Sequence, residues 1–223
     1  MLKKLLITLE DYLLPQKCCV CLKIGTPLCP SCRVKIKKVN NFCHICGEKS
    51  QLGLICKKHK KEKAKYQACF LLTYSEDYII KKALSIFKLK RNQGAGIILG
   101  KLLGKNMLSV WHKRPKEWLN LETIIIPLPI SKFSQNKISF NPSEVLARGV
   151  SKTMDIKILN KKLILKKIFF QKEAKFSWQG EGLKGNFIIV VSEVMPPSKE
   201  LEEVARILKN AGAEIIIFSS IIN

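Results

Sequence analysis

Residues 187–218 read FIIVVSEVMPPSKELEEVARILKNAGAEIIIF, and this stretch decides the fold class. Residues 187–191 form a short, continuous run of β-branched and apolar side chains, the pattern of a strand buried on both faces. Residues 198–211 read as a helix, with Gly212 where a helix C-cap belongs. Residues 213–218 repeat the strand pattern. Strand, helix and strand in that order predict a right-handed βαβ unit and hence a mostly parallel sheet. Outward from it, residues 123–128 (TIIIPL) are a further β-branched run ended by Pro127, Leu128 and Pro129, and residues 142–154 read as a helix. Residues 68–74 read as a strand. Residues 76–89 and 95–111 read as helices, the second with Ile98, Leu102 and Leu103 spaced along it. In such sheets ligands bind beyond the carboxyl ends of the strands, here near residues 127–131 and 192–198.

The chain has 223 residues, enough for one ordinary α/β domain and a small appendage. The appendage is residues 1–66, which hold eight of the nine cysteines, and residues 67–223 form the α/β domain. A segment that small and that poor in apolar residues needs a metal or disulfides to fold. Its cysteines pair as Cys18-x-x-Cys21, Cys29-x-x-Cys32 and Cys43-x-x-Cys46, followed by Cys56-x-x-His59. A two-residue gap lets both side chains of a tight turn face one ion, so four knuckles supply two tetrahedral Zn²⁺ sites in a small zinc-ribbon-like module. Sequential and interleaved pairings of the knuckles both satisfy this spacing. A closed four-ligand site has no position for substrate, so the expected role of the metal is structural. Cys19 is a substitute ligand beside Cys18, Cys69 reads as a buried small residue, and His44 stands at the wrong offset for a ligand and reads as exposed.

The net charge is +23, from 40 Lys and Arg against 17 Asp and Glu. Residues 1–66 carry 15 basic and four acidic side chains, a density that attracts polyanions. Residues 1–15 read as an amphipathic helix and not a signal peptide, since Thr8, Glu10 and Asp11 break the apolar run. No stretch has the roughly 18 apolar residues of a membrane span. A cytoplasmic protein is expected, whose reduced thiols favour metal over disulfides.

Several features in order resemble the ComF competence family, whose members join an N-terminal zinc module to a type I phosphoribosyltransferase-like domain. The resemblance covers nearly the whole chain. It rests on the four knuckles; on Phe87, Lys88 and Leu89 with Gly100 beyond; on Pro127-Leu128-Pro129; on Phe140-Asn141 with Glu144, Leu146 and Ala147; on Gln171; and on Leu183-Lys184-Gly185 with Phe187 and the final strand, helix and strand. It implies an α/β fold with helices on both faces of the sheet.

The departures cluster at the family's ligand loop. Where the resemblance implies two acids, two threonines and a glycine, this chain has Ser192 and Glu193, then Pro196, Pro197 and Ser198. Such a loop holds phosphate on backbone N–H groups at a helix start, and two prolines remove two donors. The arginines implied in residues 131–139 are reduced to Lys132 and Lys137, and residues 179–182 (QGEG) replace an expected Arg and Asn. No catalytic residue is assigned. Ser192, Glu193 and Ser198 mark the degenerate loop.

The expected function is single-stranded DNA handling during natural transformation. The contacts would come from Lys57, Lys58, Lys60, Lys61, Lys88, Lys90 and Arg91, beside Lys35, Lys37 and Lys38, with the aromatics Phe42, Tyr66 and Phe133 nearby and Phe87 read as core packing ahead of stacking. The alternatives are a phosphoribosyltransferase or phosphoribosyl diphosphate-binding protein, with Mg²⁺ only if that ligand is bound, and an adaptor docking onto a helicase or DNA-translocation partner.

Overall fold

A computed structural model describes residues 16–37, 39, 42–50, 53–61, 65–73, 75–130, 136, 138–160, 162–167 and 174–223. The expectations for residues 1–15, Lys38, Lys132, Phe133, Lys137 and Gln171, and for the side chain of Lys61, lie outside the described residues.

Five strands form one parallel sheet in the order β1-β7-β6-β2-β3: β1 (Ala68–Leu71), β2 (Glu122–Pro127), β3 (Lys157–Ile158), β6 (Asn186–Val194) and β7 (Ile215–Ile222). Between β3 and β6 in sequence, β4 (Leu163–Lys167) and β5 (Ala174–Trp178) make a separate antiparallel pair. The apolar runs alternate as a pleat requires. Ile125, Phe187, Ile189, Val191 and Ile217 face one core, while Ile124, Ile126, Ile188, Val190 and Phe218 face the other.

The first core is covered by α3 (Tyr78–Leu89), α4 (Gln93–Trp111) and α5 (Pro142–Met154), the second by α6 (Ser198–Asn210) and the β4–β5 pair. Helices therefore lie on both faces of a parallel sheet, as expected. Asp77, Asn92 and Asn141 cap α3, α4 and α5 by accepting from Ile80 N, Ala95 N and Ser143 N, each at 3.0 Å. The Asn141 amide also donates to Leu128 O at 3.1 Å, which ties the start of α5 to the loop leaving β2.

The described residues between 16 and 61 form two short helices, α1 (Pro30–Arg33) and α2 (Lys57–Lys61), and pack on both faces of the sheet. Cys18, Leu28, Cys29 and Cys32 join the first core, and Cys43 and Ile55 join the second. The two groups straddle β1, the edge strand. Leu54 bridges Ala68 antiparallel, so the segment also covers part of the open side of β1.

Gly100, a landmark of the family resemblance, has a packing reason. It meets Gly149 of α5 backbone to backbone: a Cβ at Gly100 would collide with the carbonyl oxygen of Leu146 and lie 2.9 Å from the Gly149 Cα. Gly100→Ala or Gly149→Ala should therefore force the helices apart at a cost of about 2 kcal/mol. Thermal melts should show the midpoint falling by roughly 4–8 °C.

Candidate functional site

Two groups of four side chains each bring their ligand atoms within 4.8 Å of one another: Cys18, Cys21, Cys29 and Cys32, and Cys43, Cys46, Cys56 and His59. The knuckles thus pair sequentially, not interleaved. In the first group Cys21 Sγ lies 3.5 Å from Cys29 Sγ. In the second, Cys46 Sγ lies 3.9 Å from Cys56 Sγ, and His59 Nδ1 lies 3.9 Å from Cys43 Sγ and 3.2 Å from Cys56 Sγ. Ligands about 2.3 Å from a central ion stand about 3.8 Å apart at tetrahedral angles, so these separations fit one metal ion per group.

The groups are two copies of one unit. In the first, Cys18 N donates to Lys23 O, Leu22 N donates to Cys18 O, and Lys17 bridges Ile24. In the second, at the same offsets, Cys43 N donates to Glu48 O, Gly47 N donates to Cys43 O, and Phe42 bridges Lys49. The turn needs a left-handed residue at its fourth step: Gly47 has φ +75°, and Leu22 takes φ +62° in the same place. Each copy then adds two ligands at the start of a helix, Cys29 and Cys32 at α1 and Cys56 and His59 at α2. Burial disfavours the Cys18 and Cys43 thiolates, yet surrounding backbone N–H groups outweigh it and bring both thiols down to about 6. Each unit therefore carries one thiol poised to ionise.

The remaining cysteines and His44 fall outside both groups. Burial pushes the Cys19 thiol up to about 11, and Cys69 is fully buried with its thiol raised well above the ordinary range. His44 is half-buried, not exposed as its offset suggested, because its knuckle packs against the second core; burial lowers its pKa.

The strand-end loop has a different character. The chain order of the strands reverses between β2 and β6, where a crevice at their carboxyl ends is expected to bind ligands. Ser192 is buried there against the Ser220 hydroxyl on β7, so it turns into the sheet. Glu193, on the opposite side of the strand, is 13% exposed and forms an ion pair with Lys88 Nζ at 3.1 Å. Ser198 opens α6 behind Pro197, an exposed N-cap with no side-chain hydrogen bond. The three loop residues thus diverge.

The basic residues divide into three groups. Lys57, Lys58 and Lys60 are exposed on α2, within the second metal unit. Lys88 is committed to Glu193. Lys90 and Arg91 are exposed at the turn between α3 and α4, Arg91 with φ +52°. The aromatic expectations fare differently. Phe87 is a core residue as expected, packed on Phe140 with ring centroids 5.4 Å apart, whereas Tyr66 is also in the core, 5.3 Å from the Phe218 ring, and Phe42 is half-buried. Tyr78, not among the aromatics expected from sequence, is 59% exposed beside Lys81 and Lys82. Helical periodicity signals it, because Ile79, Ile80, Ala83, Leu84 and Phe87 claim the buried side of α3 and leave Tyr78 and Lys82 together outside.

The chain is similar to competence proteins over most of its length. It is 24% identical to Competence protein ComFC of Bacillus subtilis over 202 residues, 86% of this chain and 81% of that protein. It is likewise 24% identical to Competence protein F of Haemophilus influenzae over 208 residues, 85% of this chain and 87% of that protein. No family model matches. Among solved structures, a purine phosphoribosyltransferase from Pyrococcus horikoshii is 15% identical with a TM-score of 0.36, covering 70% of this chain and 88% of its own. A hypoxanthine phosphoribosyltransferase from Trypanosoma cruzi is 10% identical with a TM-score of 0.38, covering 56% and 62%. The sequence matches agree with a divergent ComF member. Among the described residues no helix is long and apolar enough to cross a membrane.

The Lys88–Glu193 pair is testable by a double-mutant cycle of Lys88→Met and Glu193→Gln followed by urea denaturation. Because Lys88 is 38% exposed, a coupling of roughly 1 kcal/mol is expected, with the double variant more stable than the sum of the single losses predicts.

Proposed function

We propose that this chain is a ComF-like accessory protein that binds single-stranded DNA, in the cytoplasm, during its uptake or handling in natural transformation. One observation carries the reading: a unit whose cysteines and histidine are grouped as metal ligands displays Lys57, Lys58 and Lys60 outward on α2, in a chain of net charge +23. Phosphate neutralisation supplies most of the affinity of sequence-independent strand binding, and lysines fixed on a rigid turn provide it at little ordering cost. The names of the two relatives, both competence proteins, support the same reading.

The phosphoribosyltransferase chemistry is proposed to be lost. Ser192 spends its hydroxyl on Ser220 and Glu193 its charge on Lys88, so neither is presented as a free ligand for ribose hydroxyls or Mg²⁺. Pro196 and Pro197 have no N–H to offer a phosphate.

The proposed metal is Zn²⁺, one ion per group, held by Cys18, Cys21, Cys29 and Cys32 and by Cys43, Cys46, Cys56 and His59. It would supply cross-links and no reaction step. The proposed division at residues 1–66 and 67–223 places both ions in the first part.

Fluorescence anisotropy of labelled oligo(dT) with the metal-loaded chain tests the DNA reading. Binding should weaken steeply with salt. Replacing Lys57, Lys58, Lys60 and Lys61 by Gln should lower the slope of log affinity against log salt by about 0.7 per lost phosphate contact. Absence of binding at low salt would sink the reading.

Metal analysis gives an independent check. The purified chain should carry two equivalents of zinc, and Cys21→Ser or Cys46→Ser, each at an exposed ligand, should leave about one. Full chelation should make residues 16–61 protease-sensitive before the sheet unfolds, because the metal contributes the folding energy of such small units.

A further inference from the structure

A groove of about 710 Å³ lies between the first metal unit and the outer side of α3. Lys17 and Leu22 line one wall, Tyr78, Lys81 and Lys82 the other, and Lys90 stands at its end. Four lysines enter this lining and no carboxylate does. A second groove, of about 570 Å³, adjoins it and contributes Lys35 and Lys37. Tyr78 lines both, so its ring stands where the basic groove meets the second one, in which two lysines face two carboxylates. The second groove does contain Glu76 and Asp77. Asp77 accepts from Ile80 N and Lys37 N, and Glu76 accepts from the Ser75 hydroxyl.

We propose that these joined grooves are where the single strand is stacked, their lysines adding phosphate contacts to those of α2 and Tyr78 serving as the platform on which a base stacks. This rests on the DNA-binding reading and assigns it to a surface. A basic channel with an accessible aromatic ring is what strand binding without sequence preference requires, since every base has a π-face. The α2 lysines lack that partner, because Phe42 is half-buried and Tyr66 is in the core. Tyr78 is held in place from one side: Lys82 Nζ lies 5.2 Å from the ring centroid, a cation–π distance, and the ring remains 59% exposed. Unpaired bases can reach such a ring, whereas in a duplex both faces of each base are covered by stacking.

The test is anisotropy of labelled oligo(dT), and of a duplex of the same length, with the full metal-loaded chain. Tyr78, Lys81 and Lys82 are all exposed, so their substitution should leave the fold and metal content intact. The Lys81→Glu/Lys82→Glu variant should lose about tenfold or more in affinity, and its salt slope should fall by about 1.4, the equivalent of two phosphate contacts. Tyr78→Ala should lose about fivefold or more with its slope unchanged, and Tyr78→Phe should keep the affinity. Duplex should bind more weakly and be indifferent to Tyr78→Ala. If the wild-type chain binds oligo(dT) while both variants bind it equally well, the groove assignment is overturned and the DNA reading survives. If Tyr78→Ala weakens duplex and single strand alike, the stacking role is overturned. A wild-type chain that does not bind oligo(dT) at low salt overturns the DNA reading and the groove together.

Discussion

A parallel sheet whose strands are apolar on both sides must be covered twice, and this requirement organises the molecule. Ile124, Ile125 and Ile126 alternate between the two cores, as do residues 187–191 of β6. Three helices close one side. The other has α6 and a short antiparallel pair, and the cysteine segment completes the cover of both. That segment is too small to hold its own shape by apolar burial. The repeated metal-binding unit is thus part of the lid over the sheet as well as a separate signature in the sequence.

The scaffold and the strand-end loop differ in what their residues meet. At Gly100 two helix backbones touch, and any side chain would part them. At the carboxyl end of β6, by contrast, the polar groups have turned to one another. Ser192 serves the sheet through Ser220, and Glu193 joins the end of β6 to the end of α3 through Lys88. Both contacts stabilise the folded chain without needing a ligand.

The unbroken apolar runs made β2, β6 and β7 legible, with ends that differ: β2 is the same length shifted one residue back, β6 extends one residue before its run and three beyond, and β7 begins two residues later and ends four later. Helix α5 was legible to the residue, between Pro142 and Met154. β3 was not, since two residues carry no periodicity, and the β4–β5 pair mixes lysines with apolar residues too briefly to show a period. The ligand types were legible from the knuckle spacing, but their pairing was not, because it depends on which face of β1 each knuckle reaches. The lysines were visible as charge and invisible as partners: Lys88 meets Glu193 only through the tertiary fold. Tyr78 adjoins no basic run in sequence; it meets Lys81 and Lys82 only by sharing an exposed helix face with them.

The pairing of β1 with β7 also fixes an order of assembly. Gln67, beside β1, accepts a hydrogen bond from Ile216 N across a separation of 149 residues. During synthesis β1 therefore leaves the ribosome long before its partner exists, while the knuckles that flank it close over short loops and need no distant residue. A nascent chain that has captured its metals holds an unpaired strand beside a finished clasp until the last strand arrives. Synthesis of that last strand, and not metal capture, sets how long a bare strand edge is left open to another chain.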